Sequence, residues 1–488
     1  MAEFKYVRRI MVSLWGERVG TIIPIDSRQE SFAFQYDRKF LKSGIEISPL
    51  MMPLRREPYA FTDLPRSEYA GLPPAFSDSL PDAFGRGLID RWLEEKGYAR
   101  SEITALDRLA YIGRRATGAL CYEPDHGPGG RPAAFEMRKL VEAARRAVNG
   151  ELENLDGEEA LRAIVRIGSS VGGAQAKALI GWNRETGQFL FGDRDLPEGF
   201  EHWIIKFTPK EYPWRGRTEY EIYKKARAAG IDISESALYE LDGIEHFMTK
   251  RFDRDGMKHH HVQTLSAMAH FPMSVPKEFR TYEQYLATVD ALHLGYEAME
   301  QAFRRIAFNV GIDECDDHTK NFSFILAEGG EWKLAPAYDL TGSKFPSDDP
   351  WSAHGGCHQL SVNGKQSKIT DDDLLAVADR FAIGTAPRVL GEVKDAIGRP
   401  GGDGAVGRDV RPYHDCRGDG KDGESAVAVS AAKVAAMFEA TGDLGDWNGA
   451  AKLMPTVTTS GTDASGKMTF TVIPGDGTAA KAFLRIKR

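Results

Sequence analysis

The sequence is poor in cysteine, has no long apolar run and carries no excess of positive charge. Four cysteines in 488 residues (Cys121, Cys315, Cys357 and Cys416) are too few for a disulfide framework and fit a reducing compartment. No apolar stretch approaches the roughly 20 residues that a membrane-spanning helix needs. The opening MAEFKYVRRIMVSLWGERVG is broken by charge before it reaches the apolar length of a secretory leader. These absences predict a cytoplasmic chain with no membrane partner. A net charge of −8 argues against a chain built mainly to coat nucleic acid. The Walker pattern G-x-x-x-x-G-K-[ST] is missing, which excludes a P-loop, and no internal repeat is evident.

What is present is ordinary globular composition, 42% apolar and 27% charged, over a length that suggests two to four domains. Residues 5–60 alternate apolar and polar, as strands do, and residues 78–98 turn helical, with Leu88, Ile89, Trp92 and Leu93 on one face. HGPGGRPAA at 126–134 reads as a linker and 136–148 as a charged helix. HWIIKF (202–207) and HFMTKRFDRD read as strands, with TEYEIYKKARAAG as a helix between them capped by Gly230. Further on, Met299, Phe303, Ile306 and Val310 mark a buried helical face. Between Gly398 and Gly423 the chain becomes Gly/Asp-rich and reads as linker or disorder. The tail beyond it predicts one helix and three short strands, with no chemistry in it.

The chemistry concentrates in Asp316-Asp317-His318-Thr319-Lys320-Asn321 and in Ala337-Tyr338-Asp339-Leu340. Phosphoryl transfer needs a carboxylate near the acceptor hydroxyl and oxygen ligands for a divalent cation. Asp316 and Asn321 have the D-x-x-x-x-N spacing of a kinase catalytic loop, and the intervening sequence reads as a hairpin that returns Asp339 toward Asn321. Asn321 plus Asp339 makes a sensible partial Mg²⁺ sphere. Upstream, Ser169-Ser170-Val171-Gly172-Gly173-Ala174-Gln175-Ala176-Lys177 could cradle phosphate through backbone N–H groups and the lysine, although alone it is more often a turn. Lys206 stands in an apolar strand, where it either faces solvent or needs a counter-charge. Glu219 and Glu221 on the next helix are equal candidates to pair with it.

These stretches resemble the HipA family of serine/threonine-kinase toxins of bacterial type II toxin–antitoxin modules. The resemblance rests on GSSVGGAQAKALI, WIIKF, TEYEIYKKARAAGI, KRFDRD, DDHTKNFSFIL, LAPAYDL and HGGCHQLSVNGK, in that order. YDRKFLKSGIEISPLMMPL and DSLPDAFGRGLIDRWL add to it near the N-terminus. It implies an α+β, two-lobed protein-kinase-like (phosphatidylinositol-kinase-like) fold with a small β-rich N-terminal domain and a mostly helical C-terminal lobe. The implied boundaries are an N-terminal domain at 1–125 and a kinase core at 150–397, divided near 260 into N-lobe and helical C-lobe. A linker at 398–424 and an atypical tail at 425–488 follow.

By motif position Asp316 would be the catalytic base, and Asn321 and Asp339 would hold Mg²⁺. Gly172, Gly173, Ala174, Gln175, Ala176, Lys177, Lys206, Lys250, Arg251 and Phe252 would line the ATP site. His318, Thr319, Lys320, Asn321, Tyr338 and Asp339 would complete it. Ser170 matches the serine that family members autophosphorylate, with Ser169 a near competitor. The added charge would repel the loop from its phosphate-binding pose. The family also implies a HipB-like helix-turn-helix antitoxin, operator DNA reached through that partner, and a protein substrate of the aminoacyl-tRNA synthetase class, glutamyl-tRNA synthetase in the best-known members. A catalytically weak co-repressor is the alternative. Glu314 departs from the family pattern, which would place Asn there, and the Gly/Asp-rich stretch departs from its terminal helices.

Smaller signals read as structural. His259-His260-His261 suggests a polar turn, His354-x-x-Cys357-His358 a loop feeding a strand QLSVNG, and Cys315 a small half-buried residue without a local base.

Overall fold

The computed structural model describes residues 6–81, 83–127, 134–148, 177–192, 195–275, 279–342 and 357–398. Three strands of the tail, at 456–462, 468–473 and 482–485, are also described. The expected phosphate loop through Ala176, all of the 398–424 linker beyond Gly398 and the predicted tail helix lie outside those residues.

The alternation read in the first sixty residues forms β1 (Ile10–Leu14), β2 (Glu17–Pro24), β3 (Phe32–Tyr36) and β4 (Tyr59–Ala60). Leu14 faces Glu17 across a two-residue turn in which Trp15 (φ 49°) and Gly16 (φ 81°) are both left-handed. Such a turn matches the twist of an antiparallel hairpin. Short helices α1 (Arg66–Tyr69) and α2 (Pro74–Ser77) precede α3 (Ala83–Glu95) and α4 (Ala105–Ile112). The last of these starts on a Thr104/Asp107 capping box. β5 (Leu120–Glu123) then pairs with β1 to close a five-stranded sheet of order β4-β3-β2-β1-β5.

After α5 (Met137–Val148), a second five-stranded antiparallel sheet is built from β6 (Lys177–Trp182), β7 (Phe189–Phe191), β8 (Glu201–Lys206), β9 (Ser236–Leu241) and β10 (Ile244–Lys250). Its order is β7-β6-β8-β10-β9, and α6 (Arg215–Ala228) connects β8 to β9. Ala178, Ile180, Trp203, Ile205, Phe207 and Met248 of this sheet region belong to the same apolar cluster as the core of the first sheet.

A second cluster fills the C-terminal lobe. Its elements are α7 (Leu265–Met268), α8 (Tyr282–Ala291), α9 (Tyr296–Gly311), α10 (Asp371–Arg380) and α11 (Ala386–Gly398). A small sheet of β13 (His261–Thr264), β14 (Ser323–Leu326) and β15 (Trp332–Leu334) completes it. Met299, Phe303 and Ile306 of α9 are buried, as the spacing predicts. No described helix is long and apolar enough to cross a membrane. In the tail, three strands form an antiparallel sheet of their own.

Three small readings need correction. The histidine triplet is not a turn: β11 (Arg254–Asp255) pairs with β12 (Lys258–His259), and β13 begins at His261. His261 is buried with Nε2 2.8 Å from the Ile47 carbonyl, while His259 lies 2.9 Å from Asp195. QLSVNG makes only isolated bridges, Ser361 to Thr281 and Val362 to Lys365 across a tight turn at Asn363 and Gly364. Cys121 and Cys315 are free thiols, and Cys315 is buried rather than half-buried.

Candidate functional site

Lys206 ends β8 with a buried side chain, and its ammonium reaches both Glu219 and Asp339. The solvent-facing alternative for Lys206 is therefore wrong. Glu219 lies on the inward stripe of α6 with Ile222, Tyr223 and Ala226. Positions three, four and seven apart share one helical face. Glu221 lies off that stripe and pairs with Arg217 and Lys224 instead. The sequence left this choice open, although the apolar stripe carried the answer.

Lys177 is buried and sits directly across the strand pair from Lys206. Two lysines side by side need negative charge between them. Asp339 is drawn down to about 2, since the Lys206 and Lys177 charges outweigh the burial that would raise it. Glu219 goes the other way, pushed up to about 7 by burial and by the Asp339 charge, with Lys206 opposing. Burial would lower Lys206, but Asp339 and Glu219 together hold it above its ordinary value. The cluster thus favours the charged form of Asp339 and disfavours that of Glu219.

The C-terminal lobe supplies the other wall. After α9, Glu314 is 1% exposed and accepts from the backbone N–H groups of Asp316 (3.0 Å), Thr341 (2.6 Å) and Gly342 (2.7 Å). One buried carboxylate therefore fastens the loop carrying Asp316 to the loop after Asp339. The predicted hairpin exists as β14–β15. The Tyr338 hydroxyl closes it, donating to the Lys320 carbonyl at 2.7 Å and meeting Ser323 Oγ at 2.5 Å. Asn321 Nδ2 donates to the Asp316 carbonyl at 2.8 Å, and Asn321, Tyr338 and Asp339 line one small cavity with Glu314 and Asp317. Asp339 itself is left-handed, φ 56°.

The Asp316 carboxylate, one-third exposed, accepts from Gln359 Nε2 at 2.9 Å and lies 3.9 Å from His318 Nε2. Burial lowers His318. Asp317 is fully buried and accepts from Tyr282 Oη (2.7 Å) and the Gln359 N–H (2.6 Å), with His358 Nδ1 at 2.8 Å. His358 is thus a buried partner of Asp317 rather than part of a loose loop.

The structure brings Lys177, Lys206, His318 and Asp339 into one electrostatic cluster, bordered by Asp316, Asn321 and Tyr338. It does not bring Lys250 and Arg251 into it. Lys250 pairs with Glu201, and Arg251 is bidentate on Asp253 at 2.9 and 2.7 Å. Phe252 stacks near Tyr338, ring centroids 5.7 Å apart. Thr319 donates to the Phe271 carbonyl at 3.0 Å, and the charge of Lys320 acts on Asp78 of the first sheet's domain. Gly172 to Ala176, Ser169 and Ser170 lie outside the described residues. Sequence reasoning missed Glu314 as a clamp, gave Asp317 and His358 no role at the site, and missed Gln359 altogether. All four act through contacts made only by folding.

A hard divalent cation between phosphates suits this donor set. Asp339 offers a carboxylate that stays ionised, and Asn321 has its NH₂ engaged by Asp316, so its acceptor oxygen is the remaining end. Adjacent lysines suit phosphate oxygens.

Comparisons with known proteins bear on the family and the fold. Residues 10–123 match the HipA N-terminal domain and residues 169–399 the HipA-like C-terminal domain. A provisionally named kinase of Sinorhizobium fredii, Y4dM, is 24% identical over 343 residues, 67% of this chain and 76% of its own length. A provisionally named kinase of Haemophilus influenzae is 29% identical over 161 residues, 30% of this chain and 46% of its own. The HipA of Shewanella oneidensis MR-1, solved with HipB and operator DNA, superposes with a TM-score of 0.56 at 17% identity. That match covers 80% of this chain and 88% of the other. The α+β, two-lobed kinase-like fold is shared. With both of the family's domains matched in order, the chain belongs to the HipA family.

Proposed function

We propose that the protein is an ATP-dependent serine/threonine protein kinase, the toxin of a HipBA-like pair. The carrying observation is Lys206, buried between Glu219 and Asp339, whose following loop Glu314 ties to the loop that holds Asp316. In the proposed reaction the acceptor hydroxyl oxygen attacks the γ-phosphorus of ATP and a new P–O bond forms. The bond from that phosphorus to the β,γ-bridging oxygen breaks, and ADP leaves with the electron pair. The hydroxyl proton passes to Asp316. Lys206 and Lys177 hold phosphate oxygens, with His318 beside them, and Asn321 and Asp339 would hold Mg²⁺, which supplies charge neutralisation between the phosphates. Lys250 and Arg251 have no part in this reading, since Glu201 and Asp253 engage their charges, while Lys320 stays beside His318 at its edge.

The domain limits at 125, 150, 260 and 397, autophosphorylation at Ser170, and a HipB-like partner bridging to operator DNA belong to the same proposal. An aminoacyl-tRNA synthetase is the protein target it favours. Family membership and the HipB complex of the Shewanella relative support the partner. The intact Asp316, Asn321 and Asp339 set speaks against a purely binding role. Incubation with Mg-ATP followed by intact-mass analysis tests the reaction. The parent gains phosphate, mapped to Ser170 or Ser169, and Asp316→Asn gains none. Equal behaviour of the two chains ends the proposal.

A further inference from the structure

Gln359 is buried against the Asp316 carboxylate and is held at both ends of its own amide. Its Nε2 donates to Asp316 Oδ1 at 2.9 Å, and its Oε1 lies 3.5 Å from Arg280 Nη1. That pairing sets the amide's direction. A flipped amide would face its oxygen to a carboxylate and its NH₂ to a guanidinium, two repulsions in place of two attractions.

The backbone beneath it is equally fixed. The Gln359 N–H donates to Asp317 Oδ1 at 2.6 Å. The other Asp317 oxygen meets His358 Nδ1 and the Tyr282 hydroxyl, which in turn accepts from Asn309 at 3.0 Å. On the far side, the His358 N–H donates to the Gln366 carbonyl at 2.8 Å, and the Ser361 N–H to the Arg280 carbonyl at 2.8 Å. The segment 358–361 is thus pinned to α9 through Asn309 and to the start of α8 through Arg280 and Tyr282.

We propose that Gln359 is a positioning residue for phosphoryl transfer: it fixes the rotation of the Asp316 carboxylate, and the buried Asp317–His358 pair fixes Gln359. The inference rests on reading Asp316 as the base. A carboxylate one-third exposed on two rotatable bonds has several accessible rotamers. A base must stand within about 2.6–3.2 Å of the proton it takes, so a donor that selects one rotamer raises the productive fraction. In this reading Gln359 acts on the base through its hydrogen bond to Asp316 and not on the nucleotide. Its loss therefore lowers turnover and leaves nucleotide affinity alone.

The test uses the full chain with Mg-ATP, measuring self-labelling and ATP turnover for Gln359→Leu, Gln359→Glu and Gln359→Asn beside Asp316→Asn. Gln359→Leu removes the donor, and Gln359→Glu keeps the shape while setting an acceptor against the base. Both are expected to lower kcat about 10- to 100-fold, the scale of a misplaced reacting group. KM for ATP and the melting midpoint stay near the parent values, and Gln359→Asn recovers part of the loss. If Asp316→Asn is inactive while Leu and Glu variants keep kcat within threefold, the positioning role is overturned alone. A loss that appears in KM, or in the melting midpoints of both variants, overturns it in favour of a structural role. An Asp316→Asn chain as active as the parent overturns both this inference and the base assignment.

Discussion

The two walls of the site hold their polar groups by opposite means. On the sheet side, Lys177, Lys206 and Glu219 are charges buried in regular structure, with Lys206 paired to Glu219 across strand and helix and Asp339 reaching the lysines from the other wall. On the helical side, Asp316, Asn321 and Asp339 sit on irregular backbone, kept in place by carboxylates of no proposed chemical role, Glu314 and Asp317. The sheet wall also shares its apolar core with the N-terminal domain, while the helical wall has its own. Strands can bury a charge at a chosen point because their register is rigid. Loops can bring distant residues together, but only if something buried ties them.

The largest expected effect breaks the sheet side. Asp253 takes Arg251 and Arg254 on one carboxylate and accepts the Gly118 N–H at 2.8 Å, joining the first domain to the second sheet. Asp253→Ala leaves two buried guanidiniums unpaired and is expected to cost about 3–5 kcal/mol, seen in urea unfolding as one shared transition of both sheets. Burial would raise Asp253, but the two arginines hold it well below the usual carboxylate range. Its contribution is therefore complete above the unfolded value of about 4 and is lost as pH falls toward the folded one. Stability measured from pH 6 down to pH 3 should fall more steeply in the parent than in Asp253→Ala.

A smaller effect breaks the helical side. Glu314→Gln keeps one acceptor oxygen for three N–H donors and loses the charge that strengthens them. Hydrogen bonds to a charged group are worth about 1.5–3 kcal/mol, and kcat is expected to fall about tenfold as the Asp316 and Asp339 loops separate. Equal kcat in parent and variant would show that the loops are tied elsewhere.

The smallest effect sharpens the contrast within one helix. Glu221→Gln, on the outward face of α6, should leave stability within about 0.5 kcal/mol of the parent and kcat within twofold. Glu219→Gln should cost several-fold in kcat. Similar losses from the two would mean that the inward stripe does not define the Lys206 partner.

Much of the site was legible in the chain because its signals are local. D-x-x-x-x-N and the hairpin after it lie close in sequence to their structural consequence, and a lysine inside an apolar strand announces a needed counter-charge, though not that Asp339, 133 residues on, supplies part of it. Glu219 was legible in principle from its spacing to Ile222 and Ala226. Gln359 was not, since nothing near it in sequence signals the Asp316 carboxylate 43 residues away. Nor was the core shared between the first domain and the second sheet, because apolar periodicity tells which face is buried and not what covers it. The histidine triplet misled for the same reason: its middle sits between two strands that pair in different sheets.

The left-handed backbone at Asp339 (φ 56°) restricts what can replace it. Asn, Asp and Gly enter that region readily, whereas other side chains pay roughly 1 kcal/mol or more. If Asp339 has the metal-binding role proposed above, Asn or Gly is the replacement that removes its carboxylate without straining the loop. The same backbone makes Asp339→Asn the variant that removes charge alone, where Asp339→Ala would remove charge and bend the chain together.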